Sequence, residues 1–143
     1  ILNNQCYLEC IDYLLNILQN GKNIKTIPQK EDQATYSLWR DDQDYLINWY
    51  NSSEQIKRFI DAVGDPYSGA KTKLNGEEIL INDSEIYSDV LIHNRDVGKV
   101  IFIENKNPVI VCAKGLLMIK EAYYKDTNKS IIPLTFFRSR FHS

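Results

Sequence analysis

The sequence predicts an α+β protein: an N-terminal helix and connector, one further helix, and then a small antiparallel β-barrel. Hydrophobic residues recur at helical spacing over 7–18 and again over 56–63. From Ala70 onward the period shortens to that of strands, and Asn75-Gly76 supplies the strongest short hairpin signal. Five or six short apolar runs then follow at even spacing, separated by Gly, Asn and Pro.

The first helix carries two adjacent apolar stripes, Tyr7, Cys10, Leu14, Ile17 and Leu8, Ile11, Leu15, Leu18, against one polar stripe of Glu9, Asp12, Asn16 and Gln19. More than half its girth is apolar, and Gly21 supplies a left-handed stop. So wide a face calls for cover, from a larger body or from a second copy. Residues 22–44 are polar, with Pro28 barring a helix, and read as an extended connector. Tyr45, Ile47 and Trp49 then alternate as a short strand does. Ser52 or Ser53 caps the next helix with Gln55 completing a capping box, while Ile56, Phe59, Ile60 and Val63 form its apolar stripe and Gly64 ends it. Strands are expected over 70–74, 78–81, 86–92, 100–103, 109–112 and 116–122, with 131–137 as a last strand or plug. Such a run of short strands after a helix suggests a barrel of the oligonucleotide/oligosaccharide-binding type, an OB-like fold.

At 143 residues and 43% hydrophobic, the chain suffices for one domain with a real core plus an appendage. The domains are read as 1–50, a last helix and connector belonging to another body, and 51–143, the barrel. A net charge of -2 gives no global attraction for nucleic acid or an anionic membrane. No apolar run reaches the roughly 18 residues of a membrane span. No secretory signal opens the chain, so the expected compartment is the cytoplasm. Ile rather than Met stands first, as in a fragment or processed chain. Cys6, Cys10 and Cys112 form no C-x-x-C pair and are read as free thiols, without a metal site.

Catalytic machinery is not evident. His93 and His142 have no thiol or carboxylate at ligand spacing, and carboxylates such as Asp41-Asp42 and Glu77-Glu78 lie in runs typical of solvated faces. The Gly64 to Gly69 loop follows a helix rather than opening one, so it offers carbonyls instead of a phosphate cradle, and it reads chiefly as a corner against which Tyr67 packs. Two aromatic clusters remain, Tyr36 and Trp39 beside Arg40, and Trp49 and Tyr50 near Tyr67. Arg beside exposed rings suits a base or sugar with a phosphate; alternatively Trp39 and Trp49 seal the connector onto the barrel. Lys71, Lys73, Lys99 and Lys106 read as solvated lysines on a barrel edge.

Taken in order, Pro28-Gln29, Ala34-Thr35-Tyr36, Trp39-Arg40, Ile47-Asn48-Trp49, the 56–62 helix and Pro66-Tyr67-Ser68-Gly69-Ala70 resemble the end of the catalytic domain and the C-terminal domain of folate-dependent formyltransferases. Gly98-Lys99-Val100 and Gly115-Leu116-Leu117 fit the family's later G-x-V and G-x-L strands. Leu38 to Asp42 and Gly64 to Tyr67 look more like the enzymes that formylate nucleotide-linked amino sugars than like methionyl-tRNA formyltransferase. Asn48 stands where the family usually has Asp, and Ser68 where it usually has Pro. The resemblance implies formyl transfer from 10-formyltetrahydrofolate to an amine, with the catalytic Asn, His and Asp in an N-terminal domain upstream of Ile1. On that reading this chain binds no cofactor and has no catalytic residue of its own. Arg40, Trp49 and Tyr67 border the interdomain cleft as candidate sugar-nucleotide contacts, and the partners are the missing catalytic domain or a second copy; nucleic acid is disfavoured, the alternatives being the tRNA-binding barrel of a methionyl-tRNA formyltransferase or a dimerisation module.

Overall fold

The computed structural model describes residues 2–21, 27–64 and 66–143, in two compact units, 1–38 and 39–143. In the first unit, α1 (Leu2–Gln19) ends where Gly21 adopts φ 58. Its apolar stripes are in the open, with Tyr7 73% and Leu8 64% exposed. Beyond it, residues 22–26 of the expected connector lie outside the described residues, and Glu31–Gln33 forms one 3-10 turn.

The second unit runs from Trp39, because the stretch before α2 sends Ile47 and Trp49 into the same core as the strands. Asp41 accepts from the backbone N–H groups of Gln43 (2.8 Å) and Asp44 (3.3 Å), and Asp44 accepts from that of Asp41 (2.8 Å). This reciprocal cap winds Asp42–Tyr45 into a 3-10 turn where alternation predicts a strand. Only Leu46 pairs with the sheet, in a single parallel bridge to Lys71, while Ile47 and Trp49 enter the core.

Helix α2 (Ser53–Val63) has the expected capping box: Ser52 Oγ accepts from Gln55 N and Gln55 Oε1 accepts from Ser52 N. Its stripe of Ile56, Ile60 and Val63 is buried, and Phe59 packs beside it. Six strands follow, β1 (Ala70–Leu74), β2 (Glu77–Tyr87), β3 (Val100–Glu104), β4 (Asn107–Val111), β5 (Leu116–Tyr124) and β6 (Phe141–His142). All pairings are antiparallel, in the order β3-β4-β5-β2-β1-β6.

Two expected strands are not separate. Residues 78–81 belong to one long β2 that a bulge at Ile81 to Ser84 bends without breaking, and beyond Tyr87 the chain leaves the sheet as a loop to Lys99. The stretch 131–137 is no strand; Ile131 is buried and its N–H bonds Ala122 O (3.0 Å), and pairing resumes at Arg140. There β6 closes back on the start of β3. Lys99 bridges Arg140, Val100 N bonds Ser139 O (3.1 Å), and Phe141 N bonds Gly98 O (2.8 Å). Gly98 has φ 79, and a Cβ there would lie 2.1 Å from Phe141 O, so only glycine permits this approach. The result is a small antiparallel half-barrel. Its core gathers Ile47, Trp49, the α2 stripe, Leu74, Ile79, Ile81, Leu117, Ile119 and Phe141, with the Trp49 and Phe141 rings 5.8 Å apart.

Candidate functional site

The three residues singled out from sequence take different positions. Arg40 is exposed, one residue before the capped turn; Tyr67 is exposed at 61% in the corner; Trp49 is buried to 2%. Among the described residues, no hydrogen bond or ion pair joins them. Trp49 is committed to the core: its Nε1–H donates to Thr72 Oγ1 (3.0 Å), whose own hydroxyl donates to His142 O (2.7 Å). The ring is packed on Phe141 and presents no free face to a ligand. Trp49 thus seals the pre-helix stretch onto β1 as the structural alternative holds, whereas Trp39 is 99% exposed and seals nothing.

Lys71 on β1 ties down the turn that follows Arg40. Its ammonium, on a side chain only 7% exposed, bonds Asp42 Oδ1 at 2.8 Å and lies 5.6 Å from the Tyr45 ring centroid. Asp42 is two residues from Arg40 and Lys71 four from Tyr67 in sequence. The Lys71 ammonium, chiefly through that hydrogen bond, holds the Asp42 carboxyl below its usual range. Lys71 is therefore a buried, paired lysine, not a solvated one. The four lysines do not form one row either: Lys71 and Lys73 are on β1, Lys99 precedes β3, and Lys106 lies in the β3–β4 turn with φ 71.

The corner after α2 is tied by backbone bonds. Gly64 N reaches Ile60 O (3.1 Å), Tyr67 N reaches Gly64 O (2.9 Å) and Gly69 N reaches Val63 O (2.9 Å). Asp65 lies outside the described residues. Tyr67 does not pack there, because the bonds fix the backbone while its side chain stays in solvent. Asn48 Oδ1 accepts from Tyr50 N (3.0 Å), a turn that the Asp usual at this position would make with the same acceptor, so that departure preserves the local structure.

Sequence reasoning passed over two further ion-paired clusters. Arg95 forks onto Asp89 (2.5 and 3.1 Å) and also donates to the carbonyls of Cys112 (2.9 Å) and Gly115 (3.0 Å), locking the long loop to the β4–β5 turn. Asp96 pairs with Lys99 and lies 3.4 Å from Arg140 at the closing seam. Beside that seam a cavity of about 340 Å³ is lined by Lys99, Val100, Phe137, Arg138, Ser139 and Arg140. The Asp96 to Lys99 spacing was a readable signal; the Asp96 to Arg140 link, long in sequence, was not. His93 and His142 are both exposed and, among the described residues, neither ring makes a hydrogen bond.

Fold and surface together define a half-barrel module that follows a separate helical unit. Residues 40–140 match the family of the formyl transferase, C-terminal domain, and the chain belongs to that family. It is 32% identical over 120 residues to methionyl-tRNA formyltransferase of Rickettsia bellii (strain RML369-C), covering 84% of this chain and 38% of that protein. With methionyl-tRNA formyltransferase of Treponema denticola the identity is 25% over 131 residues, covering 88% of this chain and 40% of that one. The chain thus spans 38–40% of the length of these relatives. A variant of HypX from Aquifex aeolicus superposes with a TM-score of 0.61 at 20% identity, over 83% of this chain and 20% of that one. HypX in complex with tetrahydrofolic acid gives 0.58 at 19%, with the same coverage. Likeness at these identities shows the fold.

Proposed function

We propose that this chain is the C-terminal accessory part of a cytoplasmic formyltransferase whose upstream domain moves a formyl group from 10-formyltetrahydrofolate to the amine of a nucleotide-linked amino sugar. On this reading the half-barrel, OB-like in its closure of β6 onto β3, shapes one side of the acceptor cleft, with Arg40 and Tyr67 as its contacts and Trp49 as their support. The apolar stripes of α1 are the face that the catalytic domain covers.

The observation that carries the acceptor reading is the state of the cations. Away from the closing seam, Lys57, Lys71, Lys120, Lys125 and Arg95 are each held by a carboxylate of the same unit. A surface built to bind a polyanion leaves such groups free for phosphates. The second reading is a tRNA acceptor, favoured by the names of the relatives above.

Formyl transfer measured with the complete gene product separates the two. Turnover of an amino-sugar nucleotide, with aminoacylated tRNA inert, supports the first reading; the reverse selectivity refutes it. Replacing Arg40 by Ala is expected to raise KM for the acceptor and leave KM for the folate unchanged.

A further inference from the structure

The seam joining β6 to the start of β3 brings like charges together. Lys99 and Arg140 stand opposite each other in an antiparallel bridge, so their side chains leave on the same face, which is unfavourable unless they share an anion. Asp96 is that anion, bonded through Oδ2 to Lys99 Nζ and lying 3.4 Å from Arg140 Nη2. One carboxylate therefore serves two cations. Arg138, exposed and in no ion pair among the described residues, adds a third. All three cations line the 340 Å³ cavity, whose remaining walls are Val100, Ser139 and the half-exposed ring of Phe137.

Positive charge in excess of negative, a donor fork without a partner, and an aromatic face beside a small apolar floor are what recognise a planar ring carrying phosphate. The volume lies at the small end for ligand pockets, which suits one nucleotide and not a strand. We propose that this cavity binds a nucleoside phosphate, the phosphate held by Arg138 with Arg140 and Lys99, and the base resting on Phe137. This inference does not depend on which acceptor the parent enzyme formylates. A free nucleotide, the nucleotide half of a larger substrate and the terminal nucleotide of an RNA all share this chemistry.

The test is a titration of the 143-residue chain at low salt with adenosine 5′-monophosphate, uridine 5′-monophosphate, adenosine and inorganic phosphate, read by calorimetry and amide chemical shifts. Both mononucleotides should saturate the site, shifting residues near 98–100 and 137–140, and each part alone should bind about tenfold or more weakly. Arg138→Ala and Phe137→Ala should each weaken the nucleotide about tenfold, the loss of one charge-assisted bond or one stacked ring. Phe137→Tyr should retain binding, and because both side chains are exposed the thermal midpoints should stay near wild type. Absence of saturation, unchanged affinity in both variants, or inorganic phosphate binding as tightly as the nucleotide each overturns the proposal. A fifth arm uses tRNA: binding lost in the same variants, with a salt slope of many phosphates, would replace the nucleotide site by an extended RNA surface.

Discussion

Replacing Gly98 by Ala tests whether the half-barrel depends on the closing seam. The backbone at Gly98 has φ 79, which an L-residue adopts at a cost of about 1–2 kcal/mol. The new Cβ would also stand 2.1 Å from Phe141 O, a backbone atom of β6 that cannot rotate aside. Relief requires the seam to part, breaking the bond from Phe141 N to Gly98 O and exposing a ring that is 1% accessible. A buried backbone bond left unmade costs about 1–3 kcal/mol, so the expected loss is about 2–5 kcal/mol in all. Gly76→Ala is the control, since Gly76 has φ 88 with nothing within 4 Å and incurs only the conformational cost. Urea unfolding followed by tryptophan fluorescence compares the two. Trp49 is buried and Trp39 is already 99% exposed, so the signal reports Trp49. Equal midpoints for the two variants would refute the close-approach argument, and with it the seam as a structural element.

Four further outcomes are expected of the same fold. Because Lys71 lowers the folded-state pKa of Asp42 below 3.8, its contribution is present above that value and is lost as pH falls through the folded pKa. Stability of the wild type should therefore decline more steeply below pH 3.8 than that of Asp42→Asn, and parallel acid-unfolding curves would contradict it. Thr72→Val removes the acceptor of the Trp49 indole and the donor to His142 O, costing about 1–3 kcal/mol in denaturant melts, while Thr72→Ser should recover most of it. Burial pushes the Cys112 thiol up to about 12, so a disulfide reagent should titrate Cys6 and Cys10 quickly and Cys112 only on unfolding; three fast thiols would count against the core packing. If α1 is covered by a second copy, Leu15→Asp should abolish concentration-dependent scattering; a wild type that stays monomeric at every concentration contradicts that cover.

Elements whose signals are local were legible. The 56–63 stripe, the Ser52 to Gln55 box and the Asn75-Gly76 turn each depend on residues within one turn of one another, and each formed as expected. The failures arise where a contact distant in sequence decides. Residues 45–49 alternate like a strand, but the Asp41 and Asp44 cap takes Tyr45 into the turn over 42–45 and Lys71 receives only Leu46. Apolar Ile86 to Ile92 reads as a fresh strand, yet Asp89 is needed by Arg95 and the Gly115 turn, so pairing stops at Tyr87. Of the three residues singled out for a site, Arg40 and Tyr67 are exposed and Trp49 is in the core, its indole bonded to a threonine 23 residues away that local pattern could not reveal.

The charge pattern bears on the acceptor more than the total does. A net charge of -2 would still permit a basic face, as the positive cavity at the seam illustrates. What argues against a broad polyanion surface is that pairing is dispersed: Lys57 on α2, Lys71 on β1, Lys120 on β5 and Arg95 in the long loop each face their own carboxylate. To bind a duplex stem, these cations would have to exchange internal partners for phosphates, gaining only the difference between two ion pairs. A compact nucleotide demands less, because a few groups in excess at one place suffice. The half-barrel therefore gathers three cations around one carboxylate at the seam, while elsewhere Lys57, Lys71, Lys120, Lys125 and Arg95 are paired and Arg58, Lys73, Lys106, Lys114 and Lys129 are in no ion pair among the described residues; the seam is the place where a small phosphorylated ligand finds the most cations together.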